Sequence, residues 1–537
     1  MENKPLYLIC FLFLFSSYSF AQFSTEWTAN FMRPDESNSA LIYSKLDNAG
    51  NVYVACDAFY QNQGMDFVLI KYNSTGQEQW KVHYNNPANT DDVVYSMTMD
   101  NSGNIYMTGN SGDDMLIVKY NFNGILQWAN LYRTPGSTGS TSNSVSLDNS
   151  GNIFIAGTSR MNANNRDMIT VKYNSEGILQ WAKTYDSPFH NADQSMKVLT
   201  DNSGNVYTSG NTTNTDWNSL YTLIKYNANG DEQWSINYDN TEYTEDDLMD
   251  MAIDNSGNIF LAGYSYDNNG SSGLVLKYNS SGILQWKAQP PSDTERNSAF
   301  VITIDNSGNV FTTGAIVRNL TNTEYYTVKY NLQGVFQWGQ TYSGPPGGND
   351  RAWTIAVDAF SNVYVAGMIK GTNTQYDFAT VKYSSSGAQL WAATYVGDNQ
   401  SNSFASSVNV DNSGHVYVSG YSKIDDIYDK VITIKYSQTS GIVNTSSNIP
   451  NKYLLSQNYP NPFNPATKIN FSLPKNSFVT LKVFDLSGKE VANLVNENLS
   501  AGSYETDFNA SDLTSGIYFY RLTTENFSET KKMILVK

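Results

Sequence analysis

Apolar and polar positions alternate with a period of two along most of the chain, in short runs separated by polar turns. The stretch from Tyr95 to Tyr132 is representative. Tyr95 to Met99, Ile105 to Gly109, Met115 to Tyr120 and Leu126 to Tyr132 each read as a strand, named A to D in chain order. Asp100 to Asn104 turn the chain between A and B, with Gly103 where positive φ is needed and Asp100 placed to cap the turn. Gly124 serves the C–D turn in the same way. Apolar residues stand on both sides of strands B and C, so both faces of the sheet are expected to be covered. Tyr106, Tyr120 and Trp128 are therefore expected to pack between neighbouring units.

The unit repeats. Asp-Asn-Ser-Gly-Asn or a close variant begins at Asp47, Asp100, Asp148, Asp201, Asp254, Asp305, Asp358 and Asp411, at spacings of 48 to 53 residues. About 20 residues after each comes Lys-Tyr-Asn-Ser-x-Gly or a variant, starting at Lys71, Lys119, Lys172, Lys225, Lys277, Lys329, Lys382 and Lys435. Trp follows seven times, at Trp80, Trp128, Trp181, Trp234, Trp286, Trp338 and Trp391. Four strands per period of about 50 residues is the pattern of propeller blades. The eighth unit has no Trp strand after Lys435. Its counterpart lies at the other end, where Glu26-Trp27-Thr28-Ala29-Asn30-Phe31 matches Gln127-Trp128-Ala129-Asn130-Leu131-Tyr132. The expected fold is all-β: an eight-bladed β-propeller closed by its N-terminal strand, followed by a small C-terminal β-sandwich. Trp27 is expected beside Tyr417 and Tyr436. Through its Asp-x-x-Gly-Asn-Val-Tyr-Val-x-Gly core the repeat resembles the SBBP-type β-propeller family. The resemblance implies a fold and no single activity.

Four segments follow. Residues 1–21 read as a signal peptide, with Lys4, an apolar run from Leu6 to Phe15, and Ser19-Phe20-Ala21 before a cleavage site at Gln22. That run is too short for a spanning helix, and no transmembrane segment is expected. Residues 22–439 are the propeller and 440–450 a linker. Residues 451–537 are a separate unit whose composition shifts from acidic to balanced, with alternating strands at Thr467 to Leu473 and Phe478 to Asp485. Tyr459-Pro460-Asn461-Pro462-Phe463, Asp485-Leu486-Ser487-Gly488-Lys489-Glu490-Val491, Gly516-Ile517-Tyr518 and a basic-apolar tail mark it. It is similar to the type A C-terminal sorting domain of the type IX secretion system. That resemblance implies the type IX machinery as a partner, and release or attachment at the outer surface of the outer membrane.

Charge and chemistry narrow the function. The formal net charge is −17 and no cluster of Lys and Arg exists, which argues against a nucleic-acid partner. Cys56 is the one cysteine outside the signal segment, at a position held elsewhere by Gly109, Gly157, Gly210 and Gly263, and reads as a buried strand residue. The three histidines, His83, His190 and His415, fall in different repeat contexts. No zinc spacing, nucleophile elbow or phosphate loop is found. No catalytic residue and no metal site is assigned, and no cofactor is expected; calcium is the one ion considered, because the repeated turns resemble calcium loops without their spaced acids or closing Glu. The eight lysines are expected to pack their stems and place their amines near turns.

One ring of positions stands out. Eight residues before each turn Asp stand Ser39, Asp92, Ser140, Asp193, Asp246, Asn297, Asp350 and Ser403. Asp92, Asp193, Asp246 and Asp350 are the candidate ligand-binding residues, expected as a polar ring at a tunnel mouth. The variable B–C loops share that face, and loops on a rigid scaffold are the usual place for binding. The expected function is a secreted or surface-displayed binding or scaffold module for a glycan or protein ligand. The alternatives are an extracellular carbohydrate-active enzyme using mouth carboxylates and a structural surface-layer component.

Overall fold

A computed structural model describes residues 23–537 apart from 34–41, 163–164, 268–269, 292–295, 319–321, 346, 399–400, 425–427, 439–441, 447–448 and 511–512. The signal peptide expected at 1–21, and ring position Ser39, lie outside the described residues. No α-helix occurs among the described residues, and no helix is long and apolar enough to cross a membrane. Residues 23–438 form eight four-stranded antiparallel sheets in a propeller-like arrangement. Seven take their strands from one continuous stretch. The eighth joins Ser403–Val410, Val416–Ile424 and Tyr428–Gln438 to the N-terminal Phe23–Met32.

The repeat phrases have local causes. In the A–B turn of the second sheet, Asp100 Oδ1 accepts the backbone N–H groups of Ser102 and Asn104, both at 2.9 Å. Its Oδ2 accepts from the Asn104 amide at 2.8 Å and the Tyr106 hydroxyl at 3.2 Å. Both oxygens are therefore taken up by hydrogen bonds within the turn. Where His415 replaces the Asn, its backbone N–H and ring Nδ1 make the corresponding bonds to Asp411.

Apolar clusters lie between sheets, not within them. Tyr53, Phe67 and Leu69 of the first pack against Val94, Ile105 and Met107 of the second. Each of the first six sheets also grips the next at its C–D turn. Lys119 Nζ and Trp128 Nε1 both donate to the carbonyl of Ser175, at 3.1 and 3.4 Å. Lys172 and Trp181 do the same to Ala228, and Lys329 and Trp338 to Ser385. All eight repeated lysines hold the ammonium 4.9–5.6 Å from an aromatic ring of their own sheet, a cation–π contact that adds to the grip. The turn glycine lies flat on that Trp: at Gly177, φ +79°, a Cβ would come within 2.7 Å of the Trp128 ring. The same grip links the last sheet to the first, where Trp27 Nε1 and Lys435 Nζ donate to Ser74 O. Trp27 meets Tyr417 edge-on at 6.1 Å; its other aromatic neighbour is Tyr72, while Tyr436 packs with Phe23 and Trp391.

The remaining sheets form a sandwich around Leu455, Phe471, Leu481, Tyr520 and Met533. One boundary differs from the sequence reading. Within 440–450, expected as linker, Ile442–Ser446 is a strand paired with Gly502–Asn509 of the sandwich. A run containing Ile442, Val443 and Thr445 beside an open sheet edge favours such pairing.

Candidate functional site

Asp92, Asp193, Asp246 and Asp350 stand at the entry to strand A of four sheets. All four are 0–1% exposed, so the expected open polar ring is in fact a set of buried carboxyls. The reason is local. Each accepts through Oδ2 the backbone N–H six residues earlier: Asn86 at 2.8 Å, Ser187 at 2.7 Å, Asn240 at 2.5 Å and Gly344 at 3.0 Å. Ser140 does the same for Thr134 through its hydroxyl, at 3.0 Å. The position is thus a staple that closes the D–A loop on strand A. Ser265 donates a second bond to Asp246, and Lys370 N a second to Asp350, each at 2.5 Å.

Burial raises all four above the ordinary carboxylate range: Asp92 to about 6, Asp193 to about 7, and Asp246 and Asp350 upward. Their acidic neighbours are local and differ from loop to loop. Asp91 acts on Asp92, Asp186 and Asp167 on Asp193, Asp239 and Asp247 on Asp246, and Glu324 on Asp350. Sequence reading missed the partner acids on strand C. Asp66, Asp167 and Glu324 each stand 26 residues before one of the four. That spacing was legible only once strand C was seen to meet the next D–A loop.

Asp66 gives a test of this electrostatics. It is buried beside Asp92, pushed up to about 7 by burial first and by Asp92 second, with His83 3.9 Å away. A carboxyl raised in the folded state adds stability below its unfolded value near 4, and that contribution is lost as pH rises through 7. Asp66→Asn should therefore gain on the parent protein between pH ~5 and ~8. The gain is on the order of 1 kcal/mol after allowance for solvent screening. Denaturant unfolding at the two pH values measures it, and a difference independent of pH would count against a buried, protonated Asp66.

The face carrying the B–C loops exposes aromatic surface, Trp217 at 68%. A cleft of about 270 Å³ lies on the sixth sheet, lined by Asn297, Arg318, Tyr326, Gln340 and Thr341, with Pro291 of the preceding loop. Arg318 there pairs with Glu324 at 3.3 Å.

In the C-terminal sandwich two of the sequence marks meet. Phe463 of the Pro-rich opening exchanges backbone hydrogen bonds with Ile534 and Val536 of the basic-apolar tail, and Asn461 Oδ1 accepts from Ile534 N. Tyr459 and Leu486 stay 80% and 70% exposed.

No curated protein matches the sequence. Among solved structures, the chain is similar to a protein of unknown function from Dyadobacter fermentans DSM 18053, at 13% identity and a TM-score of 0.36, covering 57% of this chain and 97% of that one. A fungal alcohol oxidase of the AA5 family in complex with copper matches at 10% identity and a TM-score of 0.39, over 95% and 98% of the chains. An α-L-arabinofuranosidase from Fusarium graminearum, in complex with an iminosugar inhibitor, matches at 7% and 0.32, over 56% and 94%. Similarity at this level assigns this chain no activity. Residues 457–537, by contrast, match the secretion system C-terminal sorting domain, the tail of type IX export, and this marks a secreted protein of a kind often attached to the outer membrane surface.

Proposed function

We propose that residues 22–439 form one closed, eight-bladed SBBP-type propeller, delivered to the cell exterior by residues 451–537 after removal of a signal peptide at 1–21. At the surface it acts as a binding or scaffold module for a glycan or protein ligand. Closure is supported by contacts that recur at the junction of the last and first sheets. Ser44 N donates to Ser407 Oγ at 3.3 Å, as Val145 N does to Ser96 Oγ and Val408 N to Thr354 Oγ1. The Trp27 and Lys435 grip on Ser74 repeats there too.

The observation that carries the binding reading is the contrast between the two faces. One is uniform, its turns locked by Lys, Trp and Gly. The other carries loops that differ in every unit, five of its D–A loops held by a buried staple, with Asp92, Asp193, Asp246 and Asp350 at four of them and Ser140 at the fifth. Varied loops on a rigid frame suit recognition. In this reading the four acids position the binding loops.

One experiment addresses both halves. A chain ending at Gln438, before the sandwich strand Ile442–Ser446, should fold yet remain in the periplasm, while the full chain reaches the surface. Purified, that propeller should retain saturable binding on a glycan array or to a surface protein. Surface delivery of the truncated chain would refute the sorting role, and failure to bind any glycan or surface protein would refute the binding role.

A further inference from the structure

The staple at Asp193 differs from the other three. Asp167 on strand C of the third sheet, Asp186 in the following D–A loop, and Asp193 each offer a carboxylate oxygen, and the three atoms lie within 4.8 Å of one another. Asp193 is 0% and Asp167 7% exposed, and Oδ1 of each has no hydrogen-bond partner. A fourth oxygen points to the same need. Ser187, whose N–H holds Asp193 Oδ2, is 0% exposed, and its hydroxyl lies against the Asp193 carboxyl with no partner outside the cluster.

The corresponding place one sheet earlier shows what such a site requires. There the strand-C acid is Asp114, and the residue in the position of Asp186 is Arg133, whose Nε donates to Asp114 Oδ1 at 2.5 Å. A built-in cation neutralises that acid. In the next unit the cation's place is taken by a third carboxylate. His190 contacts only the outer member, Asp186, at 2.8 Å, and is itself 75% exposed. Buried oxygens without donors, and three acids with one peripheral histidine, lack a positive charge at their centre.

We propose that Asp167, Asp186, Asp193 and the Ser187 hydroxyl form a calcium site that ties strand C of the third sheet to the D–A loop and to strand A of the fourth. The donors are all hard oxygens, as calcium prefers. Asp186, 39% exposed, leaves one side of the site open for the waters that complete six to eight ligands. Its effect is structural: the ion would lock the loop that the staple alone holds elsewhere.

The test uses the purified mature chain, stripped of metal. Isothermal titration with CaCl2 should show one site of Kd near 10⁻⁴–10⁻³ M, the range of extracellular modules. Added Tb³⁺ should luminesce on excitation of nearby aromatic rings such as Tyr185. Asp186→Asn, at a half-exposed position that folding tolerates, and Asp167→Asn should each weaken calcium at least ~10-fold. Asp66→Asn, the strand-C acid of the first sheet, should leave it unchanged. Three results would overturn the proposal: no saturable calcium binding up to about 10 mM, binding indifferent to Asp186→Asn in a variant with unaltered circular dichroism, or tighter binding of magnesium than calcium.

Discussion

Removing residues 22–33 should lower the thermal unfolding midpoint by on the order of 10 °C, and should expose a sticky edge. Phe23–Met32 is hydrogen-bonded along its length to Tyr428–Gln438, with one irregularity between Thr25 and Trp27. Its Ala29 and Phe31 are buried with Val52, Val54 and Cys56 of the first sheet, so the strand is shared core, not trim. Burying a large apolar side chain contributes about 1.5–3 kcal/mol. The deletion also takes Arg33, whose guanidinium lies 3.8 Å from Asp57 with both side chains fully buried. Stripping one member of such a pair leaves a buried charge and costs about 3–5 kcal/mol. Differential scanning calorimetry of the deleted and parent chains measures the sum. An unchanged midpoint would show that this strand does not complete the eighth sheet.

The second large effect comes from a single methyl group. Gly210→Ala is expected to cost at least ~3 kcal/mol, although Gly210 is ordinary extended backbone with no positive φ. Strand A bulges opposite it, with the register shifting between Ser195 and Lys197. The bulge turns the Gln194 carbonyl toward Gly210, where an added Cβ would lie 1.9 Å from the oxygen. The Met168 methyl at 2.8 Å can swing away, but the carbonyl is backbone and cannot. The same carbonyl faces Gly109, Gly157, Gly263, Gly314, Gly367 and Gly420 at 1.8–2.1 Å. The first sheet is the informative exception. Its strand A, Tyr43–Leu46, pairs only as far as Ala55, and Cys56 at the next position carries a side chain packed in the core. Cys56→Gly should therefore cost only about 1–2 kcal/mol, through a small cavity and a freer unfolded backbone. Chemical denaturation of both variants gives the comparison; equal costs would count against the bulge carbonyl as the cause.

These glycines mark where sequence reading stopped. The turns were legible because Asp, Asn and Gly act within five residues of one another, and the Asp100 turn forms as its residues imply. The N-terminal strand was legible because its pattern matched a deficit 400 residues away. The strand-B glycine recurred just as clearly, but its cause lies on a neighbouring strand whose bulge no period-two pattern announces. The ring acids failed differently. Their spacing from the turn was right and their exposure wrong, because a D–A loop of six to eight residues folds back over them. Asp167 and Asp186 drew no notice at all: the strand-C position holds Asp66, Asp114, Asp167 and Asp377 but also Leu220, Ser272, Glu324 and Lys430, so no acid runs through all the repeats.

The joining of the two chain ends has a consequence for the order of assembly. Ser24 and Ser437, whose hydroxyls bond across the eighth sheet, are 413 residues apart, whereas every other of the eight sheets closes within its own stretch of chain. Loop-closure entropy grows by only ~0.6 kcal/mol per doubling of length, so the long return is thermodynamically mild. Its timing is another matter. Seven sheets are able to form as their residues leave the ribosome or a membrane pore, but the first strand has no partner until nearly the last of the repeats has followed it. Until then one edge stays open, and the Trp27 grip on Ser74 has only half of its Lys–Trp pair. Maturation therefore has a late, all-or-none step placed just ahead of the sorting domain, so a chain that stalls before Tyr428 carries its address-less repeats with an unpaired strand, ready for proteolysis.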